Sequence, residues 1–324
     1  MSIIEKEVKE IFLPSYRGAL TEGITYNPAN HTLLWVDIIA AEIHRVKLNE
    51  EDSAIETSHE FIKFQDEGES IGAIALTHNE NIVLACTKYG VTTANFETKN
   101  FNYILKYPKH HLQLRSNDGI IDPWGHLWIG TMNDFHVGSV KPEGSLYRIN
   151  CHDLSITEML TECSIPNGLA FSSRGNKLFW TDSLTFTIWE FDYNHVTNTL
   201  SNRKEFINTN KLSELQKIKS PEPDGFTMNG KDEIYSTIYS SSKLLHFNSQ
   251  GEIIEKFLIP AKNVTCATFG GRARTSLYIT SAQIELNNLK GVNDKEGDLG
   301  GYLFKISCPQ ETCGVDKNIW GGKV

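Results

Sequence analysis

One phrase recurs six times along this chain: a loop residue and Gly, a short apolar strand, a turn, then a strand rich in aromatic and β-branched residues. The second strand of the phrase reads LLWVD, HLWIG, KLFWT, EIYST or SLYIT, bounded by Gly, Asn, Asp and Ser, the pattern of short strands joined by hairpins. The units begin near Leu20, Ile71, Ser116, Ile165, Glu222 and Asn263, a period of roughly 40–60 residues, which is that of four-stranded propeller blades. A β-sandwich also strings short strands together, but it has no reason to repeat one phrase six times, whereas a propeller needs it once per blade. The expected fold is therefore all-β, a six-bladed β-propeller forming one domain over residues 1–324. The stretch VKEIFLP ahead of the first unit is expected to supply the outer strand of the last blade, and residues 308–324 to form a surface tail. Helical periodicity is nearly absent. Only NKLSELQKIK, residues 210–219, spaces Leu212, Leu215 and Ile218 three apart and predicts a short helix. It lies within a long interval, His195 to Pro223, that ends just before Asp224 and is expected to cover the channel mouth as a lid.

Composition removes several classes of function. The 31 Lys and Arg against 40 Asp and Glu give a formal charge of -9, so no basic field exists to attract a nucleic acid or an anionic membrane. No run approaches the roughly 18 apolar residues of a membrane span, and the start, MSIIEKEVKEIF, lacks a long apolar secretory core. A cytoplasmic location is expected. The six Cys show no CxxC pair and read as free thiols, with no role assigned to Cys308 or Cys313. No GxSxG elbow is present, and the adjacent His110 and His111 read as a polar loop rather than a catalytic pair. Trp35, Trp128, Trp180 and Trp189 fall in blade strands and read as packing residues.

Propeller geometry turns repeat positions into spatial ones, because equivalent residues of successive blades surround one channel. The residue before the repeat Gly is Glu22 in the first unit, Asp118 after Asn117 in the third, Asn167 in the fourth and Asp224 in the fifth. Asn-Gly and Asp-Gly are favoured turn dipeptides by themselves. Glu is not a favoured turn former, and Arg115 adds a cation beside the anionic set. Two carboxylates and an amide carbonyl, all oxygen donors, suit a hard cation such as Ca²⁺, Mg²⁺ or Mn²⁺.

The phrases TEGITYNP, RSNDGIIDPWGHLWIGTM, IPNGLAFSSRGNKLFWTDS, PEPDGFTMNGKDEIY and CATFGG with GGYLFKI resemble the family of regucalcin, senescence marker protein and gluconolactonase-like lactonases, across about nine tenths of the chain. The resemblance implies a six-bladed propeller holding one divalent ion, Ca²⁺, Zn²⁺, Mg²⁺ or Mn²⁺, on Glu22, Asn167 and Asp224. It also implies substrate contacts from Arg115 and Asn117. Asp118 stands as either a further contact or the turn residue before Gly119. The activity implied is hydrolysis of a small-molecule lactone, a sugar lactone by the family's habit, with the oligomeric state left open. Where the family often carries an acidic sugar contact after GTM, this chain reads Asn133, Asp134, Phe135, and Phe135 is expected to narrow or dry the pocket.

A lactone is an internal ester. Its hydrolysis needs a polarised carbonyl, an activated water and stabilisation of the oxyanion. Asp224 is the candidate general base, its second oxygen being free to take a proton from water. The alternative is a non-enzymatic calcium-binding regulatory propeller using the same oxygens, although an ion buffer has no use for a substrate-orienting Arg.

Overall fold

The computed structural model describes residues 3–65, 68–107, 113–286 and 297–324, so His110 and His111 lie outside the described residues. After β1 (Ile4–Glu7) the chain winds six antiparallel blades around an axis. They are β2 to β5 (Thr21–Asn27, Thr32–Asp37, Glu42–Lys47, Glu60–Lys63), β6 to β9 (Ile71–Leu76, Ile82–Thr87, Gly90–Asn95, Phe101–Lys106) and β10 to β13 (Leu114–Ile121, Leu127–Asn133, Gly144–Ile149, Ile156–Cys163). The other three are β14 to β17 (Pro166–Phe171, Lys177–Asp182, Thr187–Asn194, Thr199–Asn208), β18 to β21 (Glu222–Met228, Ile234–Tyr239, Lys243–Phe247, Ile253–Leu258) and β22 to β24 (Asn263–Gly270, Ser276–Ala282, Phe304–Ser307). This is the six-bladed propeller expected from the repeat.

Burial grades outward along each blade. The strands β2 and β3 are buried at every residue because neighbouring blades cover both faces, and Trp35, Trp128 and Trp180 are packed between blades. The outermost β17 is mostly exposed. Trp189, on the neighbouring β16, is half-buried, packed against the core of the third and fourth blades on one side and covered by the Arg203 guanidinium. Each inner strand also breaks register at one equivalent place, at Glu22/Thr25, Ile71/Ala73, Ser116/Gly119, Asn167/Leu169, Pro223/Phe226 and Val264/Ala267. Such bulges bend the strand and re-aim its side chains. At Gly72 the adjoining inner strand passes so close that a Cβ would run into the carbonyl oxygens of Ser116 and Asn117.

Both chain ends behave as straps. β1 pairs in parallel with β21, giving the fifth blade an extra strand. The following VKEIFLP stretch borders β24 of the last blade: Ile11 bridges Phe304, and the Phe12 N–H donates to Leu303 O at 2.8 Å. At the other end, the expected surface tail is instead built into the molecule. Gly314 bridges Asn229, the Lys317 ammonium donates to Ile24 O at 2.9 Å, the Asn318 amide to Ile121 O at 2.9 Å, and the Trp320 N–H to Leu76 O at 2.9 Å. Trp320 is 1% exposed, packed among Leu84, Ile121, Leu127 and Ile149 of the second and third blades. One large apolar side chain with backbone partners on several blades is enough to hold a segment that carries no strand pattern.

Two further expectations change. NKLSELQKIK forms two 3₁₀ turns, Thr209–Lys211 and Ser213–Leu215, not an α-helix. Leu212 is extended and separates the two turns, and Leu212, Leu215 and Ile218 all pack against the core between the fourth and fifth blades. The first part of the interval from His195 forms the outer strand β17, Thr199–Asn208, which belongs to the fourth blade. All six Cys are free, and no described helix is long and apolar enough to cross a membrane.

Candidate active site

The bulges aim five of the expected residues at one place. Glu22, Arg115, Asn117, Asn167 and Asp224, from four different inner strands, line a single pocket of about 180 Å³ at the end of the channel where those strands begin. Counting back from the residue at which pairing resumes, Gly119, Leu169 and Phe226, places Asn117, Asn167 and Asp224 at the same position, two residues earlier. Asp118 falls where the other strands carry Gly168 and Gly225. Because successive strand residues face opposite ways, it points away from the mouth into a second cavity of about 390 Å³. Asp118, expected as a further contact or as the turn residue before Gly119, thus lies in a different cavity from the one Asn117 lines.

A chain of hydrogen bonds fixes the polar floor. The Arg115 guanidinium donates to Asn117 Oδ1 at 2.9 Å and to Ser116 O at 2.8 Å, and Asn117 Nδ2 donates to Asn167 Oδ1 at 2.9 Å and to Pro166 O at 2.8 Å. Asn167 Nδ2 in turn donates to Ser183 Oγ at 2.9 Å, and Ser183 Oγ donates to Pro223 O at 2.7 Å. Asn117 is thus a link that sets both Arg115 and Asn167. Ser183 was not foreseen; it sits in the loop after LFWTD, with no motif to mark it. Arg115 is also paired at longer range with Asp134, which accepts a hydrogen bond from the buried Lys88 ammonium at 2.8 Å.

The two carboxylates are electrostatically frustrated. Burial, with Asp118 nearby, pushes Glu22 from 4.5 up to about 8, despite the Gly23 N–H, Arg115 and Lys317. Burial, then repulsion from Glu22, Asp118 and Glu222, pushes Asp224 well above the usual carboxylate range. Burial lowers Arg115 to about 10, with Asp134, Glu22 and Asp224 opposing. Among the described residues no three His, Cys, Asp or Glu side chains are grouped as a metal cluster; the candidate set here is two carboxylates and an amide. The donor set fits a hard cation: Asp224 Oδ1 is buried with no hydrogen-bond partner, and Asn167 Oδ1 keeps a lone pair after accepting from Asn117.

The wall above this floor is apolar. Phe135 lies in it as expected, with the Arg115 guanidinium 5.3 Å from its ring, and Leu20, Ile38 and Leu286 complete it from the first and last blades. From the interval His195 to Pro223, the expected lid, no residue before Glu222 reaches the pocket lining.

Residues 20–283 match the family model described as SMP-30/Gluconolactonase/LRE-like region, and the chain belongs to that family. The cell growth-regulated gene 1 protein of Candida albicans is 44% identical, covering 97% of this chain and 97% of its own length. Pentonolactonase XacC of Haloferax volcanii is 26% identical, covering 89% of this chain and 90% of its own. In fold, the chain is similar to the crystal structure of regucalcin from Agrobacterium tumefaciens, at a TM-score of 0.83 with 20% identity, covering 98% of this chain and 99% of that one.

Proposed function

We propose that this protein is a divalent-metal-dependent lactonase, with Glu22, Asn167 and Asp224 holding the ion and Arg115 facing the substrate. The observation that carries the reading is the unpartnered, buried Asp224 Oδ1 beside Glu22, in a pocket whose floor also holds a buried arginine. Bound there, a divalent ion supplies the counter-charge that two buried carboxylates lack and polarises an ester carbonyl. The chain's own side chains do the rest. Arg115, with its buried Nε left without a protein partner, offers a donor to the ring or carbonyl oxygen. Asn117 acts through its neighbours, keeping the Arg115 and Asn167 side chains in place. Asp224 accepts a proton from water, through the carboxylate oxygen that does not hold the ion, as the water oxygen bonds to the acyl carbon. The ring's acyl C–O bond then breaks, and the proton passes to the departing alkoxide, leaving a hydroxy acid.

The pentonolactonase relative makes sugar lactones the reference substrates for this reading. Its test is proton release from aldonolactones and aliphatic lactones, followed with Ca²⁺, Mg²⁺, Mn²⁺ or Zn²⁺ added to chelator-treated protein. Turnover that appears with metal and vanishes with chelator supports it. A protein that binds the ion but opens no lactone under any metal is a calcium-binding regulator instead.

A further inference from the structure

We propose that the pocket selects lactones that are polar on one side only, a ring bearing an alkyl or deoxygenated substituent rather than a fully hydroxylated aldonolactone. This rests on the lactonase reading and narrows its substrate class.

The argument is a count of partners. A sugar lactone brings a hydroxyl on nearly every ring carbon, and each one taken out of water must find a donor or acceptor. Opposite the polar floor this pocket presents Leu20, Ile38, Met132, Phe135, Val140 and Leu286. None of these side chains donates a hydrogen bond, and only the Met132 thioether accepts one, weakly. Phe135 and Leu286 also pack against the apolar core between the first two blades. On the floor, Arg115 Nε and Asp224 Oδ1 are left without a partner, whereas the amide and hydroxyl links between them are taken. Both N–H groups of Asn117 are committed to Pro166 O and Asn167 Oδ1, and Ser183 Oγ both accepts from Asn167 and donates to Pro223 O. Further polar side chains, Glu222 and Tyr239, lie together on the fifth blade, paired across β18 and β19. Polar partners therefore flank one side of a bound ring, and hydrocarbon meets the other. At about 180 Å³ the space suits one small ring, below the roughly 300–1,000 Å³ typical of drug-sized ligands.

The experiment compares a matched pair, a δ-lactone with a short alkyl substituent and the fully hydroxylated δ-aldonolactone, by kcat/KM on metal-loaded protein. In parallel, the corresponding lactams, which resist hydrolysis, are titrated calorimetrically, so that selectivity is read without turnover. The alkyl ring is expected to win by about 10- to 100-fold in both measurements, the modest scale on which an apolar wall discriminates against hydroxyls. Phe135→Asn, and independently Val140→Ser, should each shrink the ratio. If neither lactone is opened but the alkyl lactam still binds more tightly, the lactonase reading falls and the selectivity of the wall stands. If the hydroxylated ring binds as well as the alkyl ring or better, the proposal is overturned, whatever the turnover.

Discussion

The two ends of the channel are made from the same six inner strands, yet they handle charge in opposite ways. At the mouth, where the strands begin, Glu22 and Asp224 face each other with a single arginine near them and one carboxylate oxygen left bare. At the far end Asp118 shares its cavity with Lys317, which the C-terminal segment carries in and anchors on Ile24 O and Thr25 Oγ1. Asp118, although raised by burial, has a cation carried to it by the chain; Glu22 and Asp224 have Arg115 near them, with Lys317 acting on Glu22 from the far end. The repeat thus supplies a ring of equivalent positions, and a segment outside the repeat brings its lysine to one end and not to the other.

The sharpest way to break this comparison is at the bare carboxylate. Asp224→Asn should lower kcat by about 10³-fold or more while the protein still binds metal, because an amide oxygen coordinates but cannot take the proton from water. Turnover that survives with the metal bound would make Asp224 a ligand only. At the far end, Trp320→Ala should cost about 3–5 kcal/mol of stability in urea denaturation, the scale for emptying a buried aromatic site. A loss within ±0.5 kcal/mol would return the segment to the surface.

Arg115→Ala and Asn117→Ala should each reduce kcat/KM by roughly 10- to 1000-fold. They should part company in metal titrations. Arg115→Ala leaves affinity nearly unchanged, whereas Asn117→Ala weakens it, since Asn117 holds the Asn167 carbonyl. A further effect is a slope. Glu22 is raised from 4.5 to about 8 in the folded protein, so between those values the folded state holds a proton that the unfolded chain has released. Stability of the metal-free protein should therefore be highest below pH 4.5 as far as this group is concerned, and fall by up to about 1.4 kcal/mol per pH unit towards pH 8. Glu22→Gln should flatten that part of a melting-temperature profile, and saturating metal should do the same.

The architecture was legible because the repeat writes each blade in nearly the same words, and Glu22, Arg115, Asn117, Asn167 and Asp224 were legible because those words place them. Asp118 stood open between two readings for a physical reason. A bulge inserts a residue without a residue-type signature, so Gly119 looks like the Gly of its neighbours although pairing shows it one position later. The three-residue spacing of Leu212, Leu215 and Ile218 read as a helix, but the extended Leu212 splits the segment into two turns. Nothing in DKNIWGGKV announced a strap, since its hold comes from backbone partners far away in sequence and a single indole. Lys88 and Ser183 carry no motif and emerge only once the blades are side by side.

The C-terminal strap has a consequence for biosynthesis. Residues 314–321 touch the first, second, third, fifth and sixth blades, all of which leave the ribosome before them. Every blade can therefore be translated and paired while the far end of the channel still lacks both its lysine and its tryptophan. A frameshift or stop codon just before Lys317 would spare every residue at the mouth and still release a ring that was never fastened.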